Sequence, residues 1–313
     1  MKLANCQTGA AFGLDLLVTD VSTGKTKKGS PYLSLMLSDG VDRISARWWD
    51  CDNADGAVQK GSIYYVTGNI NEYQGERQAI VASMAPSDAA PEDFMPRSAT
   101  TPELLFGRID HYIRTIASEP LREAVATLVQ GLWHDRFYAA PAASSNHHAR
   151  VGGLAEHTLS MLDEWAALAP VLDRWHPDLL DHDVMVAGIV LHDLGKAVEI
   201  ESTPGFPYST HGQMLGHIPM AAIAVRGALG DYANTERGLR VLNCILSHHG
   251  KLEWGSPVVP RCPEAVLLHE IDMLDSRMEH FAQLVANGVG QDGWTERDKL
   301  FDGAMRGPMQ RED

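Results

Sequence analysis

An apolar run from Val184 to Leu191 ends in the doublet His192-Asp193, and Lys196 follows one helical turn after His192. An imidazole and a carboxylate side by side at the end of a buried helix can both reach one metal, the ring as a terminal ligand and the carboxylate as a bridge between two ions. His-Asp doublets arise by chance, so this one draws its weight from its company. His157 sits in VGGLAEHT at a helix start, where Gly152-Gly153 allow a tight approach. His217 opens the next helical pattern after a glycine-spaced loop, His248-His249 end the apolar stretch VLNCILS, and Asp272 lies in AVLLHEIDMLDSRM. Ten of the fourteen histidines (147, 148, 157, 176, 182, 192, 211, 217, 248 and 249) fall in about a third of the chain, a concentration that points to metal chemistry. His182-Asp183 reads instead as a solvated helix N-terminus.

Helices must position these groups, and a run of strands precedes them. Residues 1 to about 85 read as five short strands, Leu14–Val21, Pro31–Ser38, Val41–Trp49, Ile63–Ile70 and Gln78–Met84, with turns at Gly24, Lys28-Gly29, Asp39-Gly40 and Gln74-Gly75. The second strand alternates, with Tyr32, Ser34, Met36 and Ser38 on one face and Leu33, Leu35 and Leu37 on the other. Five strands at this spacing predict a small barrel, best fitted by an OB-fold, although an SH3-like barrel uses a similar pattern. PSDAAPEDFMPRSATTP, with four prolines and no periodicity, reads as a linker that puts the boundary near residue 95. Helical patterns then dominate over 102–117, 119–132, 153–169, 183–192, 216–228, 235–247 and 263–286, the first opened by the cap sequence Thr101-Pro102-Glu103. The expected organisation is therefore multidomain: an all-β barrel over 1–88, a linker over 89–102 and an all-α helical bundle over 103–313.

The barrel strands carry Tyr32, Trp48, Trp49, Tyr64, Tyr65 and Tyr73, interleaved with Lys25, Lys27, Lys28, Arg43, Arg47 and Arg77. An OB-fold binds single strands by stacking bases on such rings while cations follow the phosphates. A barrel this small also needs aromatics in its core, and Trp48 and Trp49, on alternating faces, put one ring inside and one outside.

Taken together, His157, His192-Asp193 and Asp272 resemble the ligand pattern of the HD-domain metal phosphohydrolases, and His217 and His248 match the branch that holds two metals. The strings FYAAPAASSNHHARVGGLAEHTLSML, GIVLHDLGKAVE, LGHI, LSHHGKLEWGSP and LHEIDMLDSRM further resemble the YhaM family of 3′-to-5′ exoribonucleases, whose members carry an OB-fold before the HD domain. The likeness spans about residues 11 to 280, and the residues after about 285 match nothing recognisable.

The resemblance implies that His157, His192, Asp193 and Asp272 hold a first divalent ion and that Asp193 bridges to a second held by His217 and His248. His249 would complete either ion or contact substrate phosphate. Manganese is the first expectation, with iron or cobalt compatible with the mixed nitrogen and oxygen ligands. Zinc more often takes fewer ligands in a tetrahedron. Lys196 is placed to offset charge on a phosphate oxygen, or else is a surface lysine favoured by the helix dipole. His147 and His148 are candidates to bind the terminal phosphate or protonate the leaving oxygen, unless they are exposed loop histidines. Asp275 shares the helix face of Asp272 and could orient a ligand. Trp254 reads first as an indole packing its loop onto the helices, with a wall of the site or a surface that stacks a base as the alternative.

The implied activity is metal-dependent 3′-to-5′ exonuclease action on single-stranded RNA, DNA being a second substrate to test. A phosphohydrolase of free or cyclic nucleotides and a non-catalytic nucleic-acid-binding protein are the alternatives. Composition sets outer limits. A net charge of −15, from 26 basic and 41 acidic residues, argues against coating nucleic acid through a basic surface. No apolar run approaches a membrane span, the start lacks a signal-peptide pattern, and Cys6, Cys51, Cys244 and Cys262 form no CxxC pair, so a soluble cytoplasmic protein with reduced thiols is expected. Some members of the superfamily form dimers or rings, so a homo-oligomer is compatible with this reading.

Overall fold

A computed structural model describes residues 2–26, 29–49, 58–73, 76–144, 148–290 and 292–309. The expectations placed on Lys27, Lys28, Cys51, Gln74-Gly75 and His147 lie outside these residues. The chain forms two compact units: Met1–Arg97 with Glu201–Pro207, and Ser98–Ile200 with Tyr208–Asp313.

The first unit is a closed five-stranded barrel of β1 (Ala11–Lys25), β2 (Pro31–Ser38), β3 (Arg43–Trp49), β4 (Ile63–Tyr73) and β5 (Glu76–Pro86) in the order β1-β2-β3-β5-β4. Neighbours are antiparallel except for the parallel β3–β5 pair, and β1 closes on β4. This is the connectivity of an OB-fold. β1 serves both neighbours because a register shift between Val18 and Asp20 bends it, as a bulge does. Leu33, Leu35 and Leu37 point inward with Phe12, Leu16, Val66 and Ile70, which is the alternation read from β2. Gly68 sits at the β4 bulge, where a side chain would run into the Ile80 carbonyl.

The proline-rich stretch is more structured than its composition suggests. Pro91–Phe94 make a 3₁₀ turn, and Phe94 is buried with Leu17 and Ile63.

The second unit is helical: α1 (Pro102–Thr115), α2 (Glu119–Ala126), α3 (His134–Ala139), α4 (Gly153–Trp175), α5 (His182–Leu191), α6 (Lys196–Glu199), α7 (Thr210–Leu215), α8 (His217–Leu229), α9 (Glu236–Ser247) and α10 (Pro263–Asn287). Thr101 caps α1 through its side chain, as read from the sequence. α5 is apolar on every side and lies in the core, packed against α9, α10, α4 and α2.

Several local expectations change. The pattern over 119–132 breaks at Ala126 into a π-helical turn, Thr127–Leu132. α4 does not stop at Pro170 but continues to Trp175, because Leu168 and Leu172 still pack on the core. The N-cap of α5 is Asp181, and Asp183 is not solvated: it is buried and accepts from the backbone N–H groups of Ala117 and Ser118 at 2.8 Å each, joining the α1–α2 turn to α5. The C-terminal residues form a hairpin, β6 (Trp294–Asp298) with β7 (Gly303–Arg306), fastened to α10 by His280 and Asp298 at 2.9 Å. Among the described residues, no helix is long and apolar enough to cross a membrane.

Candidate metal centre

Five histidines converge from the ends of α4, α5, α8 and α9, and each has its Nδ1 engaged. His192 and His248, just past the C-termini of α5 and α9, each donate Nδ1–H to a carbonyl three residues back, Ile189 and Ile245, at 2.8 Å. His157 Nδ1 faces Asp275 Oδ2 at 2.6 Å, His217 Nδ1 faces Glu199 Oε2 at 3.0 Å, and His249 Nδ1 donates to the Trp254 carbonyl at 2.8 Å. A bond at Nδ1 fixes the tautomer and leaves Nε2 with a lone pair, the form in which imidazole binds a metal.

Asp193 occupies the middle. Its Oδ2 lies 3.3 Å from His192 Nε2 and 3.8 Å from His157 Nε2, while its Oδ1 lies 3.4 Å from both His217 Nε2 and His248 Nε2. Asp272 Oδ1 comes within 3.4 Å of His157 Nε2. Among the described residues three groups have their ligand atoms within 4.8 Å of one another: His157, His192 and Asp272 on one side of Asp193, His217, His248 and His249 on the other, and His148, His157 and Asp275 behind the first.

These residues fit divalent metal. Asp193 Oδ1, His217 Nε2 and His248 Nε2 are buried without a hydrogen-bond partner, although buried polar atoms are normally paired. The Nε2 atoms of His157 and His192 are only 3.3 Å apart, a spacing that two lone pairs accept only with a cation or proton between them. Burial works against charge on His157, yet Asp272 and Asp275 push its pKa up to about 10, so the carboxylates call for positive charge at this point. Burial lowers the pKa of His248 and of His249, which keeps both neutral and able to ligate.

Lys196 is no surface lysine. Its ammonium lies 2.6 Å from Asp193 Oδ2, and the Coulombic pull of Asp193 raises its pKa against the cost of burial. Asp193 is held well below the usual carboxylate range by Lys196 and His192, again against burial. His148 is buried rather than exposed. Its Nε2 meets Asp275 Oδ2 at 3.0 Å and its Nδ1 meets Arg150 at 3.2 Å. Both ring nitrogens are thereby spent on protein, so His148 supports Asp275, and Asp275 supports His157.

Sequence reasoning missed several supports. Glu199 grips His217 twice, accepting its backbone N–H at 3.0 Å through Oε1 as well as facing its ring. Arg150 joins Glu156 at 2.6 Å and Glu279 at 2.7 Å beside His148. Gly195 allows α6 to pass so close to α8 that a Cβ there would collide with the His217 carbonyl. The only sequence signal for Glu199 was an acid one turn after Lys196, which looks like any surface carboxylate before the chain folds.

On the barrel, Trp49 is 43% exposed and its ring lies 5.0 Å from that of Tyr32, its cross-strand neighbour. Trp48 packs partly buried against the barrel core. Gly24 opposes Tyr32 across β1 and β2, and the missing side chain lets the Tyr32 ring lie over β1. Tyr65 and Tyr73 are exposed, whereas Tyr64 is buried. Arg77 donates through Nη2 to the carbonyls of Leu3 and Cys6, which ties its guanidinium to the N-terminal turn.

The HD domain family matches residues 154–277. The chain is 34% identical over 282 residues to the 3′-5′ exoribonuclease YhaM of Geobacillus sp. (strain WCH70), covering 88% of this chain and 85% of that protein. It is 32% identical to the 3′-5′ exoribonuclease YhaM of Halalkalibacterium halodurans, covering 95% and 92%. Among solved structures, the second OB-fold domain of replication protein A from Methanococcus maripaludis matches with 20% identity and a TM-score of 0.25, over 29% of this chain and 96% of that one.

Proposed function

The chain belongs to the YhaM family of 3′-5′ exoribonucleases, and from that premise we propose that it shortens single-stranded RNA from the 3′ end by metal-dependent phosphodiester hydrolysis, releasing nucleoside monophosphates. The observation that carries this reading is Asp193, whose two oxygens face two different groups of histidine Nε2 atoms. A carboxylate so placed suits a pair of divalent ions, manganese first, with His157, His192 and Asp272 as the further ligands on one side and His217, His248 and His249 on the other. Such ions, when bound, supply Lewis acidity toward phosphoryl oxygens and acidify water toward neutral pH.

The protein's own residues do the rest. Lys196 holds one oxygen of Asp193, Glu199 fixes the His217 ring, and Asp275 fixes the His157 ring, so the ligands are in place before any ion or substrate arrives. In this reading residues 103–313 are the phosphohydrolase domain, and the barrel, residues 1–88, holds the strand with bases against Trp49 and Tyr32. The acidic net charge fits a chain whose attraction for phosphates is concentrated at a metal centre rather than spread over its surface.

The test is digestion of a 5′-labelled single-stranded RNA oligomer with manganese, beside a chelator lane and the Asp193→Ala variant. A metal-dependent ladder shortening from the 3′ end, absent in a variant that melts like the wild type, is expected. Intact RNA in the wild-type lane would overturn the proposal and turn attention to free and cyclic nucleotides. Activity retained by Asp193→Ala would overturn the role given to the carboxylate.

A further inference from the structure

The loop after α9 presents an aromatic surface that the metal centre does not use. His248 and His249 are followed by Gly250 with φ +79°, a 3₁₀ turn over Leu252–Trp254, and Gly255 with φ +96°. Both glycines lie in the left-handed region that side chains disfavour. Gly250 has a second reason to be glycine, because the His269 imidazole fills the space its Cβ would need. His269 Nδ1 in turn bonds the His248 carbonyl at 2.7 Å, and the backbone N–H groups of Trp254 and Ser256 both return to the Lys251 carbonyl, at 3.1 and 3.3 Å. The loop is thus a short, internally bonded turn that begins at two candidate ligands.

What this turn displays is the Trp254 indole. The ring is 44% exposed and belongs to none of the apolar clusters among the described residues. Its ring neighbours are polar, the Lys251 ammonium 4.3 Å from the ring centroid and the His269 ring at 6.0 Å. The backbone of the same residue accepts the His249 Nδ1–H bond. One residue therefore sets the orientation of a candidate ligand through its carbonyl and holds a large flat ring beside it.

We propose that Trp254 and Lys251 form the subsite for the 3′-terminal nucleotide, the base stacking on the indole and the ammonium answering a phosphate oxygen. This rests on the exoribonuclease reading. Stacking explains why the ring is left in solvent, since a π-face offered to any base is sequence-tolerant, as removal of successive unlike nucleotides requires. Lys251, drawn to the ring face, already sits where a cation serves both the indole and an anion.

The experiment compares two manganese-loaded digestions, one of an RNA oligomer with a natural 3′-terminal nucleotide and one of the same oligomer with an abasic 3′-terminal ribose, using wild type, Trp254→Ala and Trp254→Phe. A stack is worth about 1–3 kcal/mol, or roughly 5- to 150-fold. Trp254→Ala is expected to lose that factor in kcat/KM on the natural oligomer, chiefly through KM, and to match the wild type on the abasic one. Trp254→Phe should keep most of the activity, and metal content should be unchanged in both variants. Equal effects on both oligomers, no effect on either, loss of bound manganese or a changed oligomeric state in Trp254→Ala would each overturn the subsite. A wild type inert toward both oligomers would instead overturn the exoribonuclease reading, and the subsite with it.

Discussion

Asp275 Oδ2 accepts from two histidines at once, His157 at 2.6 Å and His148 at 3.0 Å, and it does so from the same helix that presents Asp272 one turn earlier. The arrangement divides labour along one helix face: Asp272 points at the Nε2 side of His157 and Asp275 at the Nδ1 side.

Replacing Asp275 by Asn should therefore weaken metal binding while sparing the fold, because the side chain keeps its size and loses the charge that makes His157 a stronger ligand. Outer partners of this kind are worth about 10- to 100-fold in metal affinity. Calorimetric titration with manganese should show that loss, and activity should return at high metal concentration. His148→Ala should show a smaller loss of the same kind with kcat preserved at saturating metal, since His148 acts through Asp275. A fall in kcat at saturating manganese would instead mark His148 as a proton donor.

The barrel surface makes a separable prediction. Trp49→Ala removes an exposed ring that meets Tyr32 at a tilt and should weaken binding of a single-stranded RNA by about 1–3 kcal/mol with little change in melting temperature. Trp48→Ala removes a ring that packs on the barrel core and should chiefly destabilise. Fluorescence anisotropy with a labelled oligomer, beside thermal melts, separates the two. If neither substitution weakens binding, the strand is held elsewhere.

How much of this was legible beforehand follows from the reach of each signal. The strand alternation in Leu33, Leu35 and Leu37 and the all-apolar run before His192 are local patterns, and each places its element correctly. The histidines were legible as a set because their chemistry is rare. Glu199, Arg150 and Gly195 were not, since their roles depend on contacts with residues 18, 129 and 22 positions away, which no local pattern encodes. Asp183 was misread for the same reason: a carboxylate in the first turn of a helix usually faces water, and here the α1–α2 turn covers it.

Asp39 links acid stability to the barrel. Its carboxylate accepts from the backbone N–H groups of Leu3 at 2.7 Å, Val41 at 3.0 Å and Asp42 at 2.9 Å. Burial pushes its pKa up, but these amides and Lys2 outweigh burial and hold it below the ordinary value. A depressed carboxylate contributes stability above its unfolded pKa of about 3.9, and that contribution disappears as pH falls through the folded value. Asp39→Asn should therefore cost about 1.5–3 kcal/mol near pH 7, with the difference from wild type shrinking toward pH 3. Urea unfolding at both pH values checks it, and a difference independent of pH would show that geometry rather than charge is at work.

Gly195 offers the sharpest separation of the two halves of the metal centre. It has ordinary right-handed helical angles, φ −61° and ψ −24°, so alanine meets no conformational objection there. The obstacle is the His217 carbonyl, into which the new Cβ would run. Relief requires the start of α8 to move away from α6, and His217 Nε2 then leaves its place 3.4 Å from Asp193 Oδ1. His157, His192 and Asp272 come from α4, the end of α5 and α10 and need not follow. Gly195→Ala should accordingly keep one bound manganese per chain, lose the other, and lose RNA hydrolysis, while Gly195→Ser fares no better. Metal content measured on dialysed protein, together with a thermal melt, reads this directly. Two ions retained with full activity would mean that α8 yields without disturbing His217, and that the close approach of Gly195 matters only for packing.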